Sequence, residues 1–301
     1  MKPQYIALLF VVAAIVIFGV MIIGIVFWLR WRRKTKWPFK TDDKLLRGPG
    51  EELKVKIAYL DERLVFEVMA GVCLGLLSLG FFGDTVAKAA GLNPAKAFSL
   101  GLLAMLTVYS VSGWRIARIW KRRQNCYLGW YGERYVAEWL EPAKLQGWRV
   151  FHDVPFENNG KKFNIDHIVV GLGGVVAVET KTRRKGNARP GRKDSEVYFN
   201  GRALDWPWGE DTHGLDQAEW NARWLTDWIH AEIGERVSVS PILALPGWWL
   251  ENKIPQASRA CAVVNPQWLP ELLAKKRPVL TQKLADLIAR RLESRCRDVV
   301  E

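Results

Sequence analysis

The chain has 301 residues, room for one large domain or two modules, and 49% of them are hydrophobic. Its net charge of +13 sits almost wholly in one half: residues 1–123 carry 19 Lys+Arg against 8 Asp+Glu, a net +11, whereas residues 124–301 carry 25 against 23, a net +2. The basic excess therefore reads as charge flanking membrane spans, and it does not by itself argue for a nucleic-acid surface. Cys73, Cys126, Cys261 and Cys296 show no CxxC and no paired spacing, which argues against a zinc site or a disulfide scaffold.

Residues 6–29 are uncharged, long enough to cross a hydrocarbon core of roughly 30 Å as a helix. Arg30, Arg32, Arg33, Lys34 and Lys36 follow at once, placing that end on the cytoplasmic side. A polar loop is expected over residues 30–64, helical from Glu51 onward. Two shorter apolar runs, about 66–83 and 97–114, are rich in Gly, Ala and Ser and suit a closely packed helical hairpin. Arg115, Arg118, Lys121, Arg122 and Arg123 follow the second run, returning the chain to the cytoplasmic side. The expected organisation is a membrane region over 1–123 and a cytoplasmic domain over 124–301, at the inner or cell membrane.

From Gly129 the pattern becomes that of a soluble α/β domain around a mixed sheet. Helical spacing covers 131–146 and stops at Gly147. Strands are expected at 148–156, 163–171 and 175–183, a short hairpin begins at 196–199, and a helix covers 216–233. A strand at 237–245 and helices at 267–275 and 281–297 complete the domain.

The stretch NIDHIVVGLGGVVAVETK (164–181) reads as two buried strands joined by a glycine-rich turn, yet it contains Asp166, Glu179 and Lys181. With Leu172-Gly173 as a two-residue turn, Asp166 falls opposite Glu179, with side chains about 5 Å apart on one face. Lys181 points to that face too, because strand side chains alternate. Two opposed carboxylates in a sheet repel, and a shared proton, the lysine or a divalent cation would relieve them. A structural ion pair is the alternative. Glu133 shares the apolar helix face of Val136, Ala137 and Leu140, from which it would reach the same cluster.

The run Gly129-x-x-Gly132-Glu133, then NIDHIVV, then VVAVETK, resembles the NERD (nuclease-related) domain of the PD-(D/E)XK nuclease superfamily over roughly residues 129–264. The resemblance implies a restriction-endonuclease-like fold and Mg2+- or Mn2+-dependent hydrolysis of nucleic acid, DNA in preference to RNA. It implies Asp166 and Glu179 as metal ligands, Lys181 as the residue that activates or positions the attacking water, and Glu133 as an additional carboxylate. Gln217 falls where the family has a glutamine. Ile165-Asp166 replaces the "PD" pair, as is usual in this family, and the long insert after Lys181 departs from the pattern.

That insert carries Lys185, Arg189, Arg192 and Lys193 after Arg183 and Arg184, a basic loop suited either to a phosphate backbone or to solvent. His167 is expected to pack on the opposite side of its strand. Trp220, Trp224 and Trp228 read as a core-facing stripe. The expectation is thus a nuclease anchored in the lipid bilayer. The rivals are a tethered DNA-binding or sensing module, and a membrane protein with a degenerate, regulatory nuclease-like domain.

Overall fold

The computed structural model describes residues 44–186, 188–252 and 260–299, with single positions 19, 21, 24, 27 and 28. Most of the first apolar run and the basic stretch after it lie outside the described residues. After the two-residue strand β1 (Leu45–Leu46), helix α1 (Glu51–Gly80) continues through widened turns at Phe81–Val86 and a last turn at Ala87–Ala89. Gly91, at φ +64°, breaks it. Asn93 then caps helix α2 (Pro94–Leu145), its side chain accepting from Lys96 N at 3.0 Å, with Pro94 in the first turn, where its missing N–H costs nothing.

Glu51–Ala89 and Pro94–Leu145 are long and apolar enough to cross a membrane. They pack antiparallel through small residues, as the composition predicted. A Cβ on Gly75 would lie 2.1 Å from Tyr109 Cε1, and one on Gly101 would lie 2.6 Å from the Leu79 carbonyl oxygen. Lower down, Glu67 pairs with Arg115 (2.7 Å) and Asp61 with Arg123 (2.5 Å). The composition changes near Gln124, but the backbone of α2 does not. Its helix runs on unbroken to Leu145, because helix formation responds to backbone propensity and not to the polarity of the exposed face.

The rest of the chain builds two sheets. The first, ordered β10-β8-β4-β3-β2, uses β2 (Arg149–Asn158), β3 (Lys161–Gly171), β4 (Gly174–Thr180), β8 (Val239–Ala244) and β10 (Ala262–Val264). β2, β3 and β4 meander antiparallel, while β8 and β10 join in parallel, giving the expected mixed sheet. The β3–β4 turn is Leu172–Gly173, with Gly171 opposite Gly174 and His167 opposite Val178, which is the register the sequence predicted. Val175 and Ala177 face helices α3 (His213–Ile233) and α5 (Gln282–Cys296), while Val176 and Val178 face α2 and the short helix α4 (Leu269–Ala274). β4 is thus covered on both sides, which explains its unbroken apolar run.

A second, smaller sheet, ordered β7-β6-β5-β9, comprises β5 (Glu196–Phe199), β6 (Leu204–Trp206), β7 (Gly209–Asp211) and β9 (Trp249–Asn252). The hairpin expected to begin at 196–199 is β5 with β6; β7 and β9 were not expected, since strands of three or four residues carry too little periodicity to read. The strand expected over 175–183 ends at Thr180. The helix expected from 267 begins as a single 3-10 turn, Pro266–Trp268. Finally β11 (Arg297–Val299) pairs with β1, so that residues 45–52 lie against the domain that follows them by a hundred residues.

Candidate active site

Three elements converge where β4 ends. The ladder with β3 stops at His167 and Val178, and beyond it the Thr180 N–H donates to Asp166 Oδ2 at 2.7 Å. The Asp166 side chain thus takes over as backbone acceptor where the ladder ends, near enough to Glu179 for their charges to act on each other. On the other side β4 stays paired, with the Lys181 N–H donating to the Ala244 carbonyl at 3.0 Å. Glu179, 2% exposed, and Lys181 follow the strand's alternation onto the same side.

Helix α3 closes that side. Lys181 Nζ donates to Glu179 Oε1 (2.7 Å) and to Gln217 Oε1 (2.8 Å). Asn221, one turn after Gln217, donates its Nδ2 to Glu179 Oε2 at 3.0 Å. Both oxygens of Glu179 are therefore held, and the ammonium of Lys181 is fixed by two acceptors. Sequence reasoning missed Asn221. Its signal was a polar residue between Ala218, Ala222 and Leu225, four residues after Gln217 on one helix face.

Glu133 comes from α2, where Gly132 permits the approach. A Cβ at 132 would stand 2.5 Å from Thr182 Oγ1 and 2.6 Å from its Cγ2. Glu133 is 8% exposed, and burial first, then the charges of Asp153, Glu179 and Glu52, push its carboxyl up to about 8. Burial, followed by the charges of Glu179 and Glu133, also raises Asp166 well above the usual carboxylate range. Burial raises Glu179 as well, against the lowering effect of Lys181. Burial first, and repulsion among the carboxylates second, thus favour the protonated forms of Glu133 and Asp166.

This donor set fits a hard divalent cation, which would relieve the repulsion that keeps those protons bound. Among the described residues no group of three or more His, Cys, Asp or Glu side chains is arranged to hold a metal ion.

The structure therefore brings together Glu133, Asp166, Glu179, Lys181 and Gln217. It disperses the basic insert. Arg183 pairs with Asp211 (2.7 Å), Arg189 with Asp205 (2.6 Å), Arg192 with the same Asp205 (3.1 Å), and Lys193 with Glu196 (2.6 Å). Arg184 donates to the Gln124 carbonyl at 3.2 Å, and Lys185 lies 5.7 Å from the centre of the Trp248 ring. These six side chains trim the second sheet and its surroundings. His167 is fully buried as expected, its Nδ1 2.9 Å from His152 Nδ1. Trp224 and Trp228 pack on Phe156, whereas Trp220 is 38% exposed beside Phe163.

Residues 128–246 match the family model of the nuclease-related domain, NERD. The comparisons with curated proteins and with solved structures return no match. The matched segment contains every residue of the cluster just described, and none of α1.

Proposed function

From the nuclease-related domain that the chain carries at residues 128–246, we propose that it is a membrane-anchored nuclease that hydrolyses phosphodiester bonds, in DNA before RNA, with Mg2+ or Mn2+. The observation that carries the reading is the triple contact of Lys181, Glu179 and Gln217 beside Asp166. A lysine clamped by two acceptors at a strand end is a fixed positive charge, with no solvent reorganisation needed when negative charge develops on a phosphate. Asp166 and Glu179 would hold the cation, with Glu133 nearby. When bound, the cation supplies charge neutralisation and a more acidic water.

The chain's own residues do the rest. Asn221 and Gln217 lock the rotamers of Glu179 and Lys181, which keeps both groups within reach of one phosphate. Asp166, held through one oxygen by the Thr180 N–H, keeps its other oxygen for the cluster. Lys181, held by Glu179 and Gln217, positions the attacking water beside the phosphate. A bound cation would add to Lys181 and the Thr180 N–H in favouring the charged forms of Glu133 and Asp166, so that loading the site would release protons.

The apolar hairpin of α1 and α2 enters the bilayer, with the run at 6–29 as a further span. The basic residues after each run support a cytoplasmic position for the domain from residue 124. The test is full-length protein in detergent micelles, incubated with linear, circular and single-stranded DNA and with structured RNA, in Mg2+, Mn2+ or EDTA. Cleavage that requires a divalent cation, on DNA before RNA, supports the proposal. Binding without cleavage in any divalent cation overturns it in favour of a DNA tether.

A further inference from the structure

Helix α1 lies outside the matched domain, yet its first turn is built into the site. Gly50 starts the helix in the left-handed region (φ +69°), and no side chain of its own segment caps it. The cap comes from β2. Asp153 Oδ2 accepts the Glu52 N–H at 2.7 Å and Arg47 Nη2 at 2.5 Å. Asp153 Oδ1 accepts Asn164 Nδ2 at 2.7 Å, and that same nitrogen reaches Glu52 Oε2 at 2.7 Å. An aspartate placed over the N–H groups of a helix start is stabilised by them and by the helix dipole.

Asp153 is buried, 4% exposed, and has φ +46°, an arrangement a non-glycine residue keeps only when its surroundings enforce it. Its flanking residues pair His152 with His167 and Val154 with Ile165, so Asp153 occupies the rung opposite Asp166. The other end of the turn presses on α2. A Cβ at Gly50 would lie 2.9 Å from Trp130 Cδ1 and 3.4 Å from Glu133 Oε2. One helical turn therefore touches the elements that carry both Asp166 and Glu133.

We infer that Arg47 and Asp153 are positioning residues of the active site, docking the first turn of α1 against the strands and the helix that carry Asp166 and Glu133. The inference rests on the proposed cation site and adds that a segment outside the matched domain completes it. Arg47 neutralises Asp153, which would otherwise stand as a further uncompensated carboxylate behind the cluster. The α1–α2 hairpin is then joined to the chemistry at its base.

The test uses full-length Arg47→Ala, Arg47→Lys and Asp153→Asn proteins, with Mn2+ as the probe. Mn2+ affinity is read by calorimetry, kcat and KM by cleavage, folding by thermal melting, and the cap by hydrogen exchange at residues 50–54. The alanine and asparagine variants are expected to bind Mn2+ about 10- to 100-fold more weakly and to lose kcat with KM little changed, as for other groups that orient metal ligands. Arg47→Lys, which keeps the charge, recovers most of both. Lower melting temperature with unchanged Mn2+ affinity and kcat would overturn the inference and leave the nuclease reading intact. Should wild-type protein bind no Mn2+, the nuclease reading and the inference fail together. If Arg47→Ala does not fold, Asp153→Asn and Arg47→Lys carry the same comparison.

Discussion

Replacing Glu133 by glutamine removes the one helix carboxyl whose proton affinity is shifted furthest by a nameable environment. Its folded pKa of about 8 stands above the ordinary 4.5, so the folded state holds a proton that the unfolded chain releases. Stability from this group is complete below pH 4.5 and is lost as pH rises through 4.5 toward 8. At about 1.4 kcal/mol per pKa unit, the loss is about 1 kcal/mol at pH 5 and about 3 kcal/mol at pH 7, levelling off above pH 8. Glutamine keeps the shape and the hydrogen-bonding capacity without titrating. Removing the Glu133 charge also lowers the proton affinity of Asp166, one of the groups it acts on. Full-length protein in detergent with EDTA, melted at half-unit steps from pH 5 to 9, gives the comparison. Between pH 5 and pH 7 Glu133→Gln should gain about 2 kcal/mol on wild type, so the gap between their melting temperatures should widen by roughly 4–8 °C, at about 2–4 °C per kcal/mol. Parallel curves for the two proteins would show that Glu133 is not in a shared, repelling cluster, and the reasoning about the site would fall with it.

Mn2+ affinity of the wild type should rise from pH 6 to pH 8 as Glu133 gives up its proton, and pH-independent calorimetric affinity would contradict that coupling. Gly132→Ala drives a Cβ against Thr182 and should cost about 1–3 kcal/mol in a thermal melt. Adding Thr182→Ala should return most of it; no rescue would mean the contact is not limiting. Gly101→Leu meets backbone at Leu79 and Gly83, so it should part α1 from α2 and lower the melting temperature, with no side-chain change able to restore it. Burial, aided by Lys144, holds His152 down at about 4, and burial with His152 beside it holds His167 well below the usual imidazole range, so folding excludes protons that the unfolded chain takes up below pH 6.5. Stability should therefore fall between pH 6.5 and 4, by up to about 3 kcal/mol from His152. His152→Gln should flatten that limb relative to wild type, and an unaltered limb would count against the burial argument.

Much of the site was legible because it is local. A glycine-rich turn sets the β3–β4 register, alternation places Glu179 and Lys181 together, and helical spacing puts Glu133 on the buried face. The mixed sheet and its flanking helices followed from the same periodicities. The long-range parts were not legible. The Arg47–Asp153 contact joins residues 106 positions apart, and nothing in the polar segment before α1 marks it as more than a loop. Asn221 announces itself only as one polar residue on an apolar helix face. The compositional break near Gln124 suggested a boundary where α2 continues, because side-chain polarity can change along a helix without disturbing its backbone. The role of the basic insert stayed open in sequence because its partners Asp205 and Asp211 lie on three-residue strands that carry too little periodicity to read.

The most direct measurement of the central claim is single-turnover cleavage of DNA in Mg2+ by full-length wild type, Asp166→Ala and Lys181→Ala proteins, each shown by melting to be folded. If the cluster at the end of β4 is the catalytic centre, both variants lose divalent-dependent cleavage while wild type retains it. Cleavage that persists in both folded variants would place the activity elsewhere and contradict the account.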